Sequence, residues 1–166
     1  HRLAEVPQLI TEKRLKVALK HAFQFTTYCQ IKRPRIAVAG LNPHAGEKGA
    51  FGDEEQAIIE PFVNAYQSNE FDLTGPYPAD TLYYRAYHNE FDMILSLYHD
   101  QGLIPIKLLG FDHAVNVTLG LPFIRTSPDH GTAYNLINEK ISKINNKSLI
   151  NSFVLAEMIY KNRMRY

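Results

Sequence analysis

The chain has 166 residues, 45% hydrophobic and 21% charged, which is the balance of one folded globular protein and excludes a mainly disordered chain. Lysine plus arginine number 18 and aspartate plus glutamate 17, so a net charge of +1 gives no reason to expect nucleic acid or an anionic membrane as partner. No apolar run approaches the roughly 18 residues of a membrane-spanning helix, and the single cysteine, Cys29, cannot form an internal disulfide, which fits a reducing, cytoplasmic setting.

The chain begins at His1 without a signal-peptide pattern, so a fragment or a processed chain is expected. Thr11 is placed to cap a helix over residues 11–30, with Leu15, Leu19, Ala22 and Phe23 on one face. Residues 35–40 read as a short buried strand stopped by Gly40. A loop over 41–52 follows, marked by Asn42-Pro43, Gly46, Gly49 and Gly52. Residues 54–67 read as a helix that Pro61 should break near Glu60. Residues 71–78 look turn-rich because of Gly75-Pro76 and Pro78, and a short helix is expected after Ala79.

Residues 91–98 read as a second buried strand, and 103–109 fit helix or strand equally well. A third strand is expected over 115–119 and a short fourth over 123–126. Helices are expected over 132–143 and 148–161. Strands alternating with helices predict an α/β fold with a mostly parallel sheet flanked by helices. The domain expectation is 1–114 for a metal- and substrate-binding unit and 115–166 for a C-terminal segment.

In open α/β sheets, ligands collect at the carboxyl ends of the strands. Three polar clusters fall there on this reading: residues 42–47 with His44, residues 99–102 with His99, and residues 125–132 with His130. Neutral imidazole suits zinc and similar divalent ions. A lone loop histidine is more often a hydrogen-bonding surface residue, and His21, His88 and His113 take that reading. Lys107, Asn116 and Arg125 suit a phosphorylated or carboxylated small molecule; a solvated lysine, a strand-edge amide and a surface arginine are the competing interpretation. Asn116 interrupts an apolar strand, where a buried amide would need a partner. Asp80 and Asp100 are candidate carboxylates, with helix capping or a turn as the alternative roles. Neither a dinucleotide-binding glycine fingerprint nor a P-loop is present.

Four segments together resemble the 4-hydroxythreonine-4-phosphate dehydrogenase family. They are Leu41-Asn42-Pro43-His44-Ala45-Gly46-Glu47, Gly75-Pro76-Tyr77-Pro78-Ala79-Asp80-Thr81, Tyr98-His99-Asp100-Gln101-Gly102, and Val115-Asn116-Val117-Thr118 running through Arg125-Thr126-Ser127 to Asp129-His130-Gly131-Thr132-Ala133. The resemblance implies an isocitrate/isopropylmalate dehydrogenase-like fold, a homodimer, and this chain as the C-terminal half. It implies oxidation of 4-phosphooxy-L-threonine with NAD or NADP and a divalent metal (zinc, magnesium or cobalt), then decarboxylation to 3-amino-2-oxopropyl phosphate for pyridoxal 5'-phosphate. His44 and His99 match two metal ligands shared across the dimer, and His1 stands for the third, although its flanking residues match poorly. Lys107, Asn116 and Arg125 match substrate contacts, Asp80 and Asp100 are expected to orient histidines or move protons, and Asp129, His130, Gly131 and Thr132 resemble a cofactor-side loop. The family's usual Ala-Gly ending after Ala133 is replaced here by Tyr134-Asn135. A paralogue acting on another phosphorylated hydroxy acid, or a non-catalytic metal-binding remnant, is the alternative.

Overall fold

Five residues, Arg35–Ala39, form strand β1, and four of them are fully buried. A strand buried on both faces must be covered by helices on both sides, and the alternation of side chains shows how. Ile36 and Val38 point into a core with Leu15, Leu19, Ala22, Ile59, Phe62, Val63, Leu73 and Leu95. Ala37 and Ala39 point the other way, against Leu82, Tyr77, Phe91 and Ile94. Their small methyl groups let the helix carrying Leu82 lie close to the strand.

The computed structural model describes residues 1–129 and 145–163. Helix α1 (Val6–Leu9) is one turn, and α2 (Glu12–Tyr28) starts where the Thr11 side chain accepts the Arg14 N–H, as the sequence predicts. A π-helical turn, Glu55–Ile59, runs into α3 (Glu60–Ala65), so the break falls at the expected place. Strand β2 is Asp72–Tyr77, α4 is Ala79–Tyr87 and β3 is Met93–Leu95. The three strands form a parallel sheet in the order β2-β1-β3. At the amino ends of β1 and β3 the Arg35 guanidinium grips Asp92 through two hydrogen bonds of 2.9 and 3.0 Å. That contact holds the Asp92 carboxyl below its ordinary range.

Two expectations change here. Residues 71–78 are not merely turns, since β2 occupies most of them. Pro76 is tolerated because β2 is the edge strand, and the β1–β2 register shifts between Ala37 and Ala39 to pass it. Gly75 fits because a Cβ there would lie 2.5 Å from the Val38 carbonyl oxygen. The second strand covers only Met93–Leu95, because Leu97 N–H turns away to the Gln101 side chain.

The described chain divides into two compact units, His1–Leu103 and the residues from Ile104 onward, so the division falls inside helix α5 (His99–Gly110). The second unit holds the end of α5, strands β4 (Val115–Thr118) and β5 (Arg125–Pro128), and helix α6 (Lys147–Arg163). Strands β4 and β5 pair antiparallel, with Val115 opposite Pro128 and Thr118 opposite Arg125. The ribbon is thus a separate antiparallel pair rather than a continuation of the parallel sheet. Ser148 ties α6 to it, donating its hydroxyl to the Ala114 carbonyl at 2.6 Å and accepting the Asp129 N–H at 3.1 Å. The helix expected over 132–143 lies outside the described residues.

Candidate active site

The carboxyl ends of β1 and β3 each open into a histidine-bearing segment. After β1, Gly40 donates its N–H to the Tyr77 carbonyl at 2.8 Å. The turn Pro43–Gly49 then winds left-handed, with φ of 54° at His44, 50° at Ala45, 77° at Gly46, 40° at Glu47 and 57° at Lys48. Such backbone costs L-residues roughly 1–2 kcal/mol each, so the surroundings must impose it. The carboxylate of Glu55 holds the start of this segment: Oε1 accepts the N–H groups of Leu41 and Asn42, both at 2.8 Å, and Oε2 accepts Asn42 Nδ2 at 2.9 Å. Gly46 closes against it, where a Cβ would sit 2.7 Å from Oε2. The turn leaves the His44 ring exposed, 5.9 Å from the Phe51 ring between centroids.

After β3, His99 begins α5. Its Nδ1 lies 2.7 Å from Asp100 Oδ1. A carboxylate can only accept, so Nδ1 is the donor in this contact and Nε2 is the ring nitrogen left for another partner. This is the carboxylate–imidazole arrangement that prepares a histidine to ligate a metal. His1, Arg14, Ser96, Tyr98, His99 and Asp100 share a cavity of about 630 Å³ with apolar side chains of the N-terminal turns and α2. Its volume is that of a small-molecule site. His1 also contacts Glu5, with Nδ1 3.5 Å from Oε2.

His44 and Asp80 do not line this cavity. Asp80 stands exposed in the first turn of α4, where Oδ1 accepts the Thr81 N–H at 2.9 Å, so it does the local work of a helix start. Each exposed imidazole, His44 and His99, is a ligand type suited to a borderline divalent cation. Among the described residues, no three His, Cys, Asp or Glu side chains of this one chain converge on a metal position.

The anion-binding candidates lie in the second unit. Lys107 Nζ is 3.0 Å from Asp129 Oδ2 and also donates to the Asp129 carbonyl. A candidate substrate residue is thereby joined to a candidate cofactor-side residue. Arg125 donates from Nη1 to Thr118 Oγ1 at 2.8 Å across the ribbon and is exposed. It is the first residue of β5, which begins two residues later than the expected 123–126, so the polar cluster starts within the strand and not after it. Asn116 is exposed, opposite Ser127, so it needs no buried partner and that argument for it fails. His130, Gly131 and Thr132 lie outside the described residues.

Sequence reasoning missed Glu55 and Gln101. Gln101 is buried, accepts the Leu97 N–H at 2.8 Å and donates Nε2 to the Gly40 carbonyl at 2.7 Å. Glu55 was hidden in a charged Glu54-Glu55 pair; the glycines at 40 and 46 were the available signal that something buried lay against the turn.

Comparisons with known proteins bear on the family and the fold. A 4-hydroxythreonine-4-phosphate dehydrogenase from Ruegeria sp. is 47% identical over 168 residues, covering 97% of this chain and 49% of its own length. A D-threonate 4-phosphate dehydrogenase from Pectobacterium atrosepticum is 51% identical over 127 residues, covering 76% of this chain and 39% of its own. The crystal structure of 4-hydroxythreonine-4-phosphate dehydrogenase from Klebsiella pneumoniae superimposes with a TM-score of 0.81 at 40% identity, over 96% of this chain and 48% of that one. The chain therefore spans about half the length of the relatives it matches. It shares with them the isocitrate/isopropylmalate dehydrogenase-like α/β fold. The family described as pyridoxal phosphate biosynthetic protein PdxA matches residues 1–156, and the chain belongs to that family.

Proposed function

We propose that this chain carries the metal- and substrate-binding half of a dehydrogenase of vitamin B6 synthesis. Its substrate on this reading is 4-phosphooxy-L-threonine, oxidised with NAD or NADP and then decarboxylated to 3-amino-2-oxopropyl phosphate. The observation that carries the reading is His99 at the carboxyl end of a parallel sheet, with Nδ1 on Asp100 and Nε2 left to ligate. The names of the relatives supply the substrate.

His99 and His44 would hold a divalent ion (zinc, magnesium or cobalt), with His1 as third ligand and a second copy of the chain in a homodimer completing the set. When bound, the ion supplies a charge that acidifies the substrate hydroxyl, and the nicotinamide supplies the hydride acceptor. Asp100 fixes the His99 ring, and Asp80 is left to hold or pass a proton. Lys107, Arg125 and Asn116 bind the phosphate and carboxylate ends. Lys107 already faces an anion in Asp129, so a substrate phosphate competes there with a carboxylate. Asp129 with His130, Gly131 and Thr132 forms the cofactor side. The unpaired Cys29 thiol supports a cytoplasmic setting.

The similarity to a D-threonate 4-phosphate dehydrogenase favours one second reading, the paralogous substrate. The two compounds differ at C2, amino in one and hydroxyl in the other. The test mixes this chain with the N-terminal half of the Ruegeria sp. enzyme, adds zinc, and follows reduced nicotinamide with each substrate. Turnover of the threonine phosphate is expected. Turnover of the threonate phosphate alone reassigns the substrate, and no turnover of either makes the chain a non-catalytic remnant.

A further inference from the structure

Two buried polar side chains take no part in the proposed chemistry, yet each holds the root of a histidine-bearing segment. Glu55 is 1% exposed, and all of its contacts given above go to the start of the His44 turn. Gln101 joins Gly40, where that turn leaves β1, to Leu97, where the chain leaves β3 toward His99. A buried carboxylate is costly unless hydrogen bonds replace its water, and a left-handed run persists only where its surroundings over-determine it. Here the two costs meet at one place. The turn could instead have been a solvated loop of ordinary backbone. The buried oxygens draw the Leu41 and Asn42 amides inward, the left-handed run follows directly, and Gly46 returns against the same carboxylate.

We infer that Glu55 is a positioning residue of the candidate site: its carboxylate sets the turn that presents His44, while Gln101 fixes that turn's root against the root of the His99 helix. Glu55 touches neither substrate nor metal on this account and acts through Leu41 and Asn42. The inference rests on the reading of His44 as a ligand, so its test separates the two.

The experiment uses the whole 166-residue chain with Glu55→Gln. A glutamine keeps Oε1 for the two backbone amides but sets an N–H donor against Asn42 Nδ2. Three readouts are taken: NMR of the His44 ring, amide exchange at Leu41 and Asn42, and calorimetric titration with zinc alone, the last two also in a His44→Ala background. We expect a shifted His44 ring resonance, faster exchange at both amides, and zinc binding weakened at least tenfold, with no further loss from Glu55→Gln once His44 is alanine. A merely structural role would weaken zinc by the same factor in both backgrounds, and that overturns the inference. Unchanged His44 and amide signals overturn it too. Should Glu55→Gln fail to fold, Glu55→Asp keeps the charge but draws the carboxylate back from the Leu41 and Asn42 amides, and it is read identically. If the parent binds no zinc while the ring and amide changes occur, the metal reading falls and the positioning of the turn stands.

Discussion

The two units of this chain solve the burial of apolar surface differently. In the first, β1 is covered on both faces, and Ile36, Val38, Phe62 and Leu82 are fully enclosed. In the second, a two-stranded ribbon is supported by α6, and large apolar side chains remain exposed: Leu108 at 82%, Phe153 at 70%. Among the described residues, one antiparallel pair, α6 and the end of α5 offer little surface to enclose such residues. The difference teaches where a side chain is held by enclosing neighbours and where it is not. The histidine segments grow from the enclosed unit, whereas the candidate anion-binding residues Lys107, Arg125 and Asn116 sit on the open one.

The largest expected effect tests that contrast at its core. Ile36→Ala should cost about 2–5 kcal/mol of unfolding free energy, and Phe153→Ala less than about 0.5 kcal/mol, both by urea denaturation. Equal costs would mean that the face bearing Phe153 is buried in solution. Ser148→Ala comes next. It removes one donor and one acceptor that tie α6 to the ribbon, and a loss of about 1 kcal/mol is expected. Amide exchange should rise in β4 and β5 and stay unchanged in β1. Exchange rising throughout would show that the two units unfold as one.

The smallest effect is a pH dependence. Arg35 lowers the folded-state pKa of Asp92. A depressed carboxyl pKa adds stability above its unfolded value of about 3.9, and that stability is lost as pH falls through the folded value. Arg35→Gln should therefore flatten the stability profile in the window below about pH 4. A variant profile parallel to the parent's through that window would remove the pair from the account.

Much of the enclosed unit was legible in the sequence. The Thr11 cap, the apolar periodicity of α2, the run 35–39 and the break at Pro61 are local signals, and local chemistry decides them. Strand β2 was not legible, because Gly75-Pro76 reads as a turn and only pairing with β1 makes it a strand. Helix α5 was ambiguous, with Gly102 and Pro105 inside it. On the open unit, β4 and β5 were found near their places, but their antiparallel pairing was not, and that pairing sets Arg125 opposite Thr118. His99 and Asp100 were legible as neighbours in a motif. Glu55 was not, because burial of a carboxylate depends on which amides the fold brings to it.

The central claim is that His44 and His99 serve one metal ion. A calorimetric zinc titration of the parent chain beside a His44→Ala, His99→Ala double variant tests it most directly. The account predicts binding by the parent and at least a tenfold loss in the double variant. Equal affinity in the two proteins, or no binding by either, would contradict it.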